Sequence, residues 1–136
     1  MIASSVRILD FEKIRSALME KMPSPGSREK IKQLDFAKSP EELEDRQMYL
    51  REAIGYALAY SPLPFGPMKD LRAHLGFAKR GGVLESVVLL DIGDTLRSIT
   101  RMKSFFEKHA ERKGEFPLLY QYVAIMGNYS FLEQAI

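Results

Sequence analysis

The residues of this chain that could do acid–base or metal chemistry are few and poorly placed for it. The only two histidines, His74 and His109, fall on different predicted helices, so they cannot form a pair of ligands on one helix. Asp91 and Asp94 form a carboxylate pair that could point inward, but they fall in the first turns of a predicted long helix. Negative charge there complements the helix dipole. We therefore interpret the pair as helix-end electrostatics rather than as a catalytic acid and base.

Other catalytic signatures are also missing from the sequence. A nucleotide-binding loop of the form G-x-x-x-x-G-K-[ST] does not occur, since Gly81-Gly82 is not followed by Lys and Ser or Thr. The chain has no cysteine, which excludes disulfides and thiolate metal sites. No Ser-His-Asp or Cys-His arrangement can be assembled from the spacing. The sequence predicts no catalytic residue, no metal site and no cofactor in these 136 residues.

A row of cations is the stronger functional signal. Several Arg and Lys side chains share one stripe of the long helix, opposite its apolar stripe, and an aromatic ring falls in the same sector. Such a row can follow phosphates and stack on a base or a partner. The candidate nucleic-acid-binding residues are Lys79, Arg80, Arg97, Arg101, Phe105, Lys108 and Arg112. The alternative is a solvated outer face with Phe105 covered by a neighbouring helix, and cations before Gly81 that simply suit a helix C-terminus.

Clusters of Pro and Gly divide the chain into segments with helical apolar spacing. An alternating stretch from Ile2 to Leu9 is the one strand-like pattern. We expect an all-α fold, an irregular helical domain of about six helices around one long helix, with residues 1–136 forming a single domain. The predicted helices cover Phe11–Met22, Ser24–Leu34, Ser39–Tyr60, Pro67–Gly81, Ser86 to about Lys113 (roughly 40 Å), and Pro117–Gly127.

Capping signals fix several helix starts. Ser39-Pro40-Glu41-Glu42 reads as a capping box with Pro at the first helical position, and Asp10 is placed as an N-cap. The helix after Ser39 carries Leu43, Gln47, Leu50, Ile54 and Ala57 on one stripe. A second capping box, Ser130 to Glu133, stands just before Ile136. It suggests a fragment of a longer multidomain protein, and a frayed C-terminus is the alternative.

The first two turns of the long helix are apolar all round. Val87, Val88, Leu89 and Leu90 therefore predict an end that is covered from both sides. Val87 and Leu90 also face the outer side. If nothing in the chain covers them, they form an apolar interface for a second subunit.

Composition sets broad limits on function. Hydrophobic residues make up 46% and charged residues 28% of the chain, as in ordinary globular domains. The net charge of +2 is too small to imply nucleic-acid binding by itself. No run of 18 apolar residues and no signal peptide is visible, so we expect no membrane partner and a cytoplasmic location.

Three segments carry a resemblance to a known family. They are Leu9 to Ile14, Pro64 to Arg72, and Ala78-Lys79-Arg80-Gly81-Gly82-Val83-Leu84 continuing through Leu89 to Arg97. With these segments the chain resembles the N-terminal domain of the second bacterial branch of the MutS family, the paralogues linked to recombination suppression. The likeness spans nearly the whole chain, and the Gly-Gly-Val-Leu segment is its most specific part. One departure is that Glu85-Ser86-Val87-Val88 stands where the family usually has Ser-Pro-Glu-Glu.

The resemblance implies a dimeric parent that binds branched or mismatched DNA. It further implies that the parent hydrolyses ATP with a divalent metal in a later domain and ends in a small nuclease domain. This chain would then be the helical opening of the core and lever region, a non-catalytic lever and dimerisation module. Some relatives are tied to stalled ribosomes and ribosomal RNA. The alternatives are therefore a protein-interaction domain or a ribosome-binding module.

Overall fold

The computed structural model describes residues 10–136, and the alternating stretch from Ile2 to Leu9 lies outside them. Within the described residues there are seven α-helices, one 3-10 helix and no strand. The helices are α1 (Phe11–Lys21), α2 (Pro25–Lys32), α3 (Pro40–Ala59), α4 (Arg72–Lys79), α5 (Ser86–Lys108), α6 (Pro117–Ala124) and α7 (Ser130–Ala135), with the 3-10 helix Ala110–Gly114 after α5. The prediction of an all-α fold is confirmed.

Helices α1 and α2 form a hairpin whose limits follow from proline and serine. Helix α1 ends before Pro23, and the Ser24 Oγ caps α2 by accepting a hydrogen bond from Ser27 N at 3.1 Å. Asp10 does occupy the N-cap position of α1, but its side chain does not cap the helix. Its backbone has a φ of 50°, and its carboxylate instead pairs with Lys13 at 3.1 Å.

The capping box at the start of α3 is present in a shifted form. Ser39 Oγ accepts a hydrogen bond from Glu42 N at 3.2 Å, as the sequence predicts. The return bond comes from one residue earlier, since Lys38 N donates to the Glu42 carboxylate at 2.7 Å. The same carboxylate pairs with Arg46 at 2.5 Å. These bonds lower the pKa of Glu42, the Lys38 N–H contributing most.

The segment before α4 is not helical, so the predicted helix start at Pro67 is wrong. The Pro67 carbonyl accepts a hydrogen bond from Ser98 Oγ at 3.1 Å, which ties this segment to α5. Gly66 lies so close to Ser98 that a Cβ there would stand 2.0 Å from its Oγ. Helix α4 begins at Arg72, where the Asp70 carboxylate accepts from Arg72 N at 3.2 Å.

The long helix α5 is shorter than its sequence pattern suggests. It spans 23 residues, about 34 Å, and ends at Lys108 rather than near Lys113. The chain leaves helical geometry at His109, whose Nδ1 bonds to the Phe105 carbonyl at 2.8 Å. The Tyr120 hydroxyl donates to the carbonyls of Phe106 and His109. These side chains satisfy the last carbonyls of α5, so the helix can stop there.

The core lies between α3, the C-terminal half of α5, and α6. Its buried members are Tyr56, Met102, Phe106, Tyr120 and Val123. The Tyr56 and Phe106 rings are stacked with centroids 4.4 Å apart and planes 6° apart. Away from the rings, α3 also holds the start of α6 through the Glu52 carboxylate. It accepts hydrogen bonds from Leu118 N at 2.9 Å and Leu119 N at 3.1 Å.

The last helix, α7, packs on α5 without the predicted capping box. Ser130 lies inside the helix, and Asn128 Oδ1 accepts from Ser130 N at 3.1 Å. Glu133, which the box would turn back to Ser130, instead accepts from Thr100 Oγ1 at 3.3 Å. The carboxylate is drawn to α5 because α7 lies against that helix.

Candidate interaction surfaces

The predicted row on the long helix has four cations, and two of them are paired with carboxylates. The four are Arg97, Arg101, Lys108 and Arg112. Arg97 Nη2 lies 2.5 Å from Asp94 Oδ1, one turn earlier on α5. Arg112 Nη1 lies 2.5 Å from Glu115, and this bond raises the pKa of Arg112. Arg112 also belongs to the 3-10 helix and not to α5. The predicted continuous row is therefore interrupted at both ends.

Arg101 and Lys108 keep the geometry that the sequence predicts. Both side chains are exposed on α5, two turns apart, which is a separation of about 10 Å along the axis. No carboxylate lies within ion-pair distance of either side chain among residues 10–136. Arg101 and Lys108 are therefore available to bind a polyanion.

Phe105 does not lie open beside the cations. Its ring is half-buried, 4.7 Å from the His109 ring and 6.3 Å from the Tyr60 ring between centroids. Tyr60 follows the end of α3, so a neighbouring element covers Phe105, as the alternative interpretation of the row predicted. The packed ring cannot stack on a base without leaving this aromatic cluster.

Lys79 and Arg80 lie at the end of α4, a different helix from the one that carries the row. Lys79 is the last helical residue, Arg80 is the C-cap, and both are exposed. Gly81 follows with a φ of 86°, a left-handed conformation that suits glycine at a helix end. Cations are favourable at this end of a helix through the dipole alone.

The N-terminal end of α5 is open on its outer side. Val87 is 60% and Leu90 62% exposed, so the prediction that this end is covered from both sides is wrong. Helix α7 covers a different side of α5, because the Ile136 side chain approaches Gly93 and Thr100 bonds to Glu133. Val87 and Leu90 therefore form an exposed apolar patch, which is the alternative that the sequence analysis kept open for an uncovered helix end.

A second apolar surface lies along α3. The sequence pattern predicted an apolar stripe on this helix but did not indicate which element covers it. Leu43, Leu50, Ile54 and Leu58 are all exposed. The face of α3 that packs on the core is instead formed by Glu52 and Tyr56. The more apolar stripe of the helix consequently faces outward.

The amount of exposed surface agrees with these open faces. The chain exposes 10325 Å². A compact monomer of 15.5 kDa exposes about 7,200 Å². The difference between the two areas is more than twice what nine residues could add, since nine residues of any fully unfolded chain expose roughly 1,400 Å². Most of the extra exposed area therefore belongs to residues 10–136. Surfaces of this extent are typical of segments that associate with other protein.

No group of three His, Asp or Glu side chains within residues 10–136 is placed to hold a metal ion. Asp94 pairs with Arg97, and Asp91 lies 3.9 Å from Lys69, so the two carboxylates turn to different cations. One apolar cleft of about 270 Å³ opens beside Phe65, Met102 and Tyr122. No helix in the described part of the chain is long and apolar enough to cross a bilayer.

Comparison with known proteins finds several relatives that are all named endonuclease MutS2. The chain is 36% identical over 132 residues to a protein named endonuclease MutS2 from Symbiobacterium thermophilum, covering 97% of this chain and 16% of that protein. It is 32% identical to endonuclease MutS2 of a Geobacillus species over 131 residues, covering 96% of this chain and 17% of the relative. Endonuclease MutS2 of Bacillus cereus is 31% identical over 136 residues, all of this chain and 17% of the relative.

The other comparisons are negative. No family model matches the chain, and no solved structure matches it. The chain spans about one sixth of the length of the curated relatives it matches. Over nearly its whole length it is therefore related to one segment of MutS2-type proteins.

Proposed function

We propose that this chain is a non-catalytic helical scaffold, with lever and assembly roles, in a MutS2-type protein that acts on DNA. The observation that carries the proposal is the likeness of 96–100% of the chain to a segment that makes up only 16–17% of proteins named endonuclease MutS2. The remaining five sixths of such a protein are large enough to carry the catalytic domains, which leaves a supporting role for this segment. In this proposal, ATP, a divalent metal and the nuclease chemistry are all handled outside residues 10–136.

The surfaces of the chain support an assembly role. The apolar stripe of α3 and the patch at Val87 and Leu90 are exposed on different helices. Exposure of each surface to water is unfavourable, and the free energy falls when another protein surface covers it. A scaffold that is held on two sides can transmit movement along α5, the longest helix described.

Arg101 and Lys108 are the residues we propose for a direct contact with DNA. Their spacing along α5 lets both reach phosphates of one backbone, and neither cation has to break an ion pair within the described residues first. Lys79 and Arg80 add charge on another helix. The two exposed cations of α5 predict a weak contact whose affinity falls with roughly the second power of the salt concentration.

A segment exchange tests the scaffold role. The matching segment of the Symbiobacterium thermophilum protein is replaced by this chain, and nuclease activity of the chimera is measured beside the parent and a version lacking the segment. A soluble chimera that keeps activity, while the deletion loses it, supports the proposal. Activity in the deletion equal to that of the parent would show that the segment is no scaffold.

Gel-shift titration tests direct DNA contact. The isolated chain is titrated onto branched DNA at low salt, with Arg101→Glu/Lys108→Glu as the test variant. Lys13→Glu/Lys21→Glu, which reverses two cations of α1, is the control with the same net charge. We expect the test variant to lose about tenfold or more in affinity and the control to lose much less. Equal losses, or no binding by the unaltered chain, would remove the contact and leave the scaffold role standing.

A further inference from the structure

Helix α3 has the spacing of a coiled-coil seam on its exposed side. Leu43, Gln47, Leu50, Ile54 and Ala57 recur at steps of four and three residues. These are the a and d positions of two heptads, with Gln47 and Ile54 at a. Among residues 10–136 most of the seam is left open, since Leu43, Leu50 and Ile54 are each about half exposed and only Ala57 is partly covered.

The seam is free for a partner helix because the core uses the other side of α3. Tyr56 is 1% exposed and turns toward Phe106, whereas Ile54, two residues earlier, points about 200° away around the helix. Glu52, on the same side as Tyr56, holds the start of α6. A second helix can therefore lie on the seam without displacing any core contact.

We propose that α3 binds the α3 helix of a second copy of this chain, with the two helices antiparallel. This inference rests on the proposed assembly role and names the surface that serves it. Helix α3 has 20 residues, about 30 Å, which gives two full heptads of contact. In the antiparallel arrangement, Leu43 of one copy packs beside Ile54 of the other, and Leu50 packs beside Gln47.

The charged residues beside the seam favour a second copy of this chain as the partner and an antiparallel direction of the two helices. Glu44 and Arg51 each follow a d-position leucine, so they lie on the same edge of the seam. When the helices are antiparallel, Glu44 of one copy faces Arg51 of the other, and the two-fold symmetry repeats the pair. Both side chains are exposed, and neither has an ion-pair partner within the described residues.

A parallel arrangement is disfavoured by the same residues. In register, it would bring Arg46 of one copy against Arg51 of the other. Arg46 is also occupied within its own chain, since it donates to the Asp35 carbonyl at 2.6 Å and pairs with Glu42. Like charges across the seam therefore count against the parallel pair.

Sedimentation equilibrium of the 136-residue chain over a wide concentration range tests the contact. We expect a monomer–dimer equilibrium that Leu50→Glu weakens by about tenfold or more, because a carboxylate would be buried in the seam. The matched control is Ile125→Glu, at an exposed apolar residue outside α3, which should leave the equilibrium unchanged. A strict monomer, or equal effects of the two variants, would overturn the proposal. Because the side chains are exposed, both variants should fold.

The direction of the helices has its own test. Arg51→Glu should weaken an antiparallel dimer by about threefold and strengthen a parallel one, and the double swap Glu44→Arg/Arg51→Glu should restore the antiparallel dimer. The chain has no cysteine, so single cysteines can be introduced as Leu43→Cys and Ile54→Cys. Each protein is oxidised alone, and an equal mixture of the two is oxidised in parallel. Disulfide-linked dimers that form mainly in the mixture support the antiparallel pair, and efficient linkage of either protein alone contradicts it. A monomer beside an active MutS2 chimera would contradict this contact alone, whereas a dimer beside a fully active deletion would contradict the scaffold role.

Discussion

Ile54 and Tyr56 stand on opposite sides of α3 and meet opposite environments. Tyr56 is 1% exposed and stacks on Phe106, whereas Ile54 is 51% exposed. The helix thus gives its aromatic face to the core and its aliphatic face to solvent. In a self-sufficient domain the aliphatic stripe would be the inner one. The arrangement fits a segment that is completed by a further protein surface.

The Tyr56 and Tyr120 hydroxyls predict opposite effects of the same substitution. The Tyr56 hydroxyl is buried with no partner at hydrogen-bond distance among the described residues, and burial together with the neighbouring Tyr120 hydroxyl raises its pKa. We expect Tyr56→Phe to raise the free energy of unfolding by about 1 kcal/mol. Tyr120→Phe should lower it by about 1–2 kcal/mol, because the Phe106 and His109 carbonyls lose their donor. Chemical denaturation measures both, and a loss of stability in Tyr56→Phe equal to that in Tyr120→Phe would contradict the assignment.

Gly66 should tolerate no side chain, whereas Gly26 should. A Cβ on Gly66 would stand 2.8 Å from the Ser98 Cβ and closer still to its Oγ. Gly66→Ala should therefore cost about 1–3 kcal/mol of stability by forcing the segment off α5. Nothing lies within 4 Å of a Cβ on Gly26 in α2, so Gly26→Ala should add about 0.5–1 kcal/mol. Thermal unfolding of the two variants gives the comparison, and a shift of the same sign in both would be evidence against this packing.

Ser39 should stabilise the protein by the amount typical of a helix N-cap, because its side chain caps α3. Its Oγ accepts from Glu42 N, and Ser39→Ala leaves that donor without its partner. We expect a loss of about 1 kcal/mol, with Ser39→Asp close to the unaltered chain because Asp also caps well. Urea titration followed by circular dichroism is the measurement. If Ser39→Asp falls as far as Ser39→Ala, the cap is not what Ser39 supplies.

Helix starts and chain breaks could be predicted from the sequence because their causes are local. The start of α3 at Ser39-Pro40 and the end of α4 before Gly81 depend on neighbours along the chain, and both are where the pattern placed them. The start at Pro67 was wrong because its decisive contact is with Ser98, on another helix. A side chain 31 positions away leaves no local signal.

The candidate site was predictable only in part for the same reason. Helical spacing correctly placed Arg101 and Lys108 on an exposed face of α5. It could not reveal that Phe105 turns to Tyr60, since that needs the position of α3. The Asp94–Arg97 pair was readable in advance, because its spacing of three residues is a standard helical ion pair.

Asp70 should titrate well below an ordinary aspartate. Its side-chain hydrogen bond with Arg72 is the main cause that lowers the pKa from 3.8 to about 2. Because the folded pKa is lowered, the contribution to stability is present above pH 3.8 and is lost as the pH falls through 2. NMR titration of the Asp70 carboxyl carbon measures the midpoint. In Arg72→Gln the midpoint should return toward 3.8, and an unchanged midpoint would show that Arg72 is not the cause.

Removing the carboxylate that neutralises Arg97 should strengthen binding to a polyanion. Asp94→Asn frees the guanidinium, which then lines up with Arg101 and Lys108 on the exposed face of α5. One more phosphate contact should raise the affinity for branched DNA severalfold and steepen the salt dependence by about one counterion. The measurement is a gel-shift titration at several salt concentrations.

The matched control for that variant is Glu115→Gln, which changes the net charge equally but frees Arg112 on the 3-10 helix. It should affect binding less, because Arg112 lies off the α5 face. If both variants strengthen binding equally, total charge and not the α5 row governs the contact. If neither does, α5 does not face the DNA.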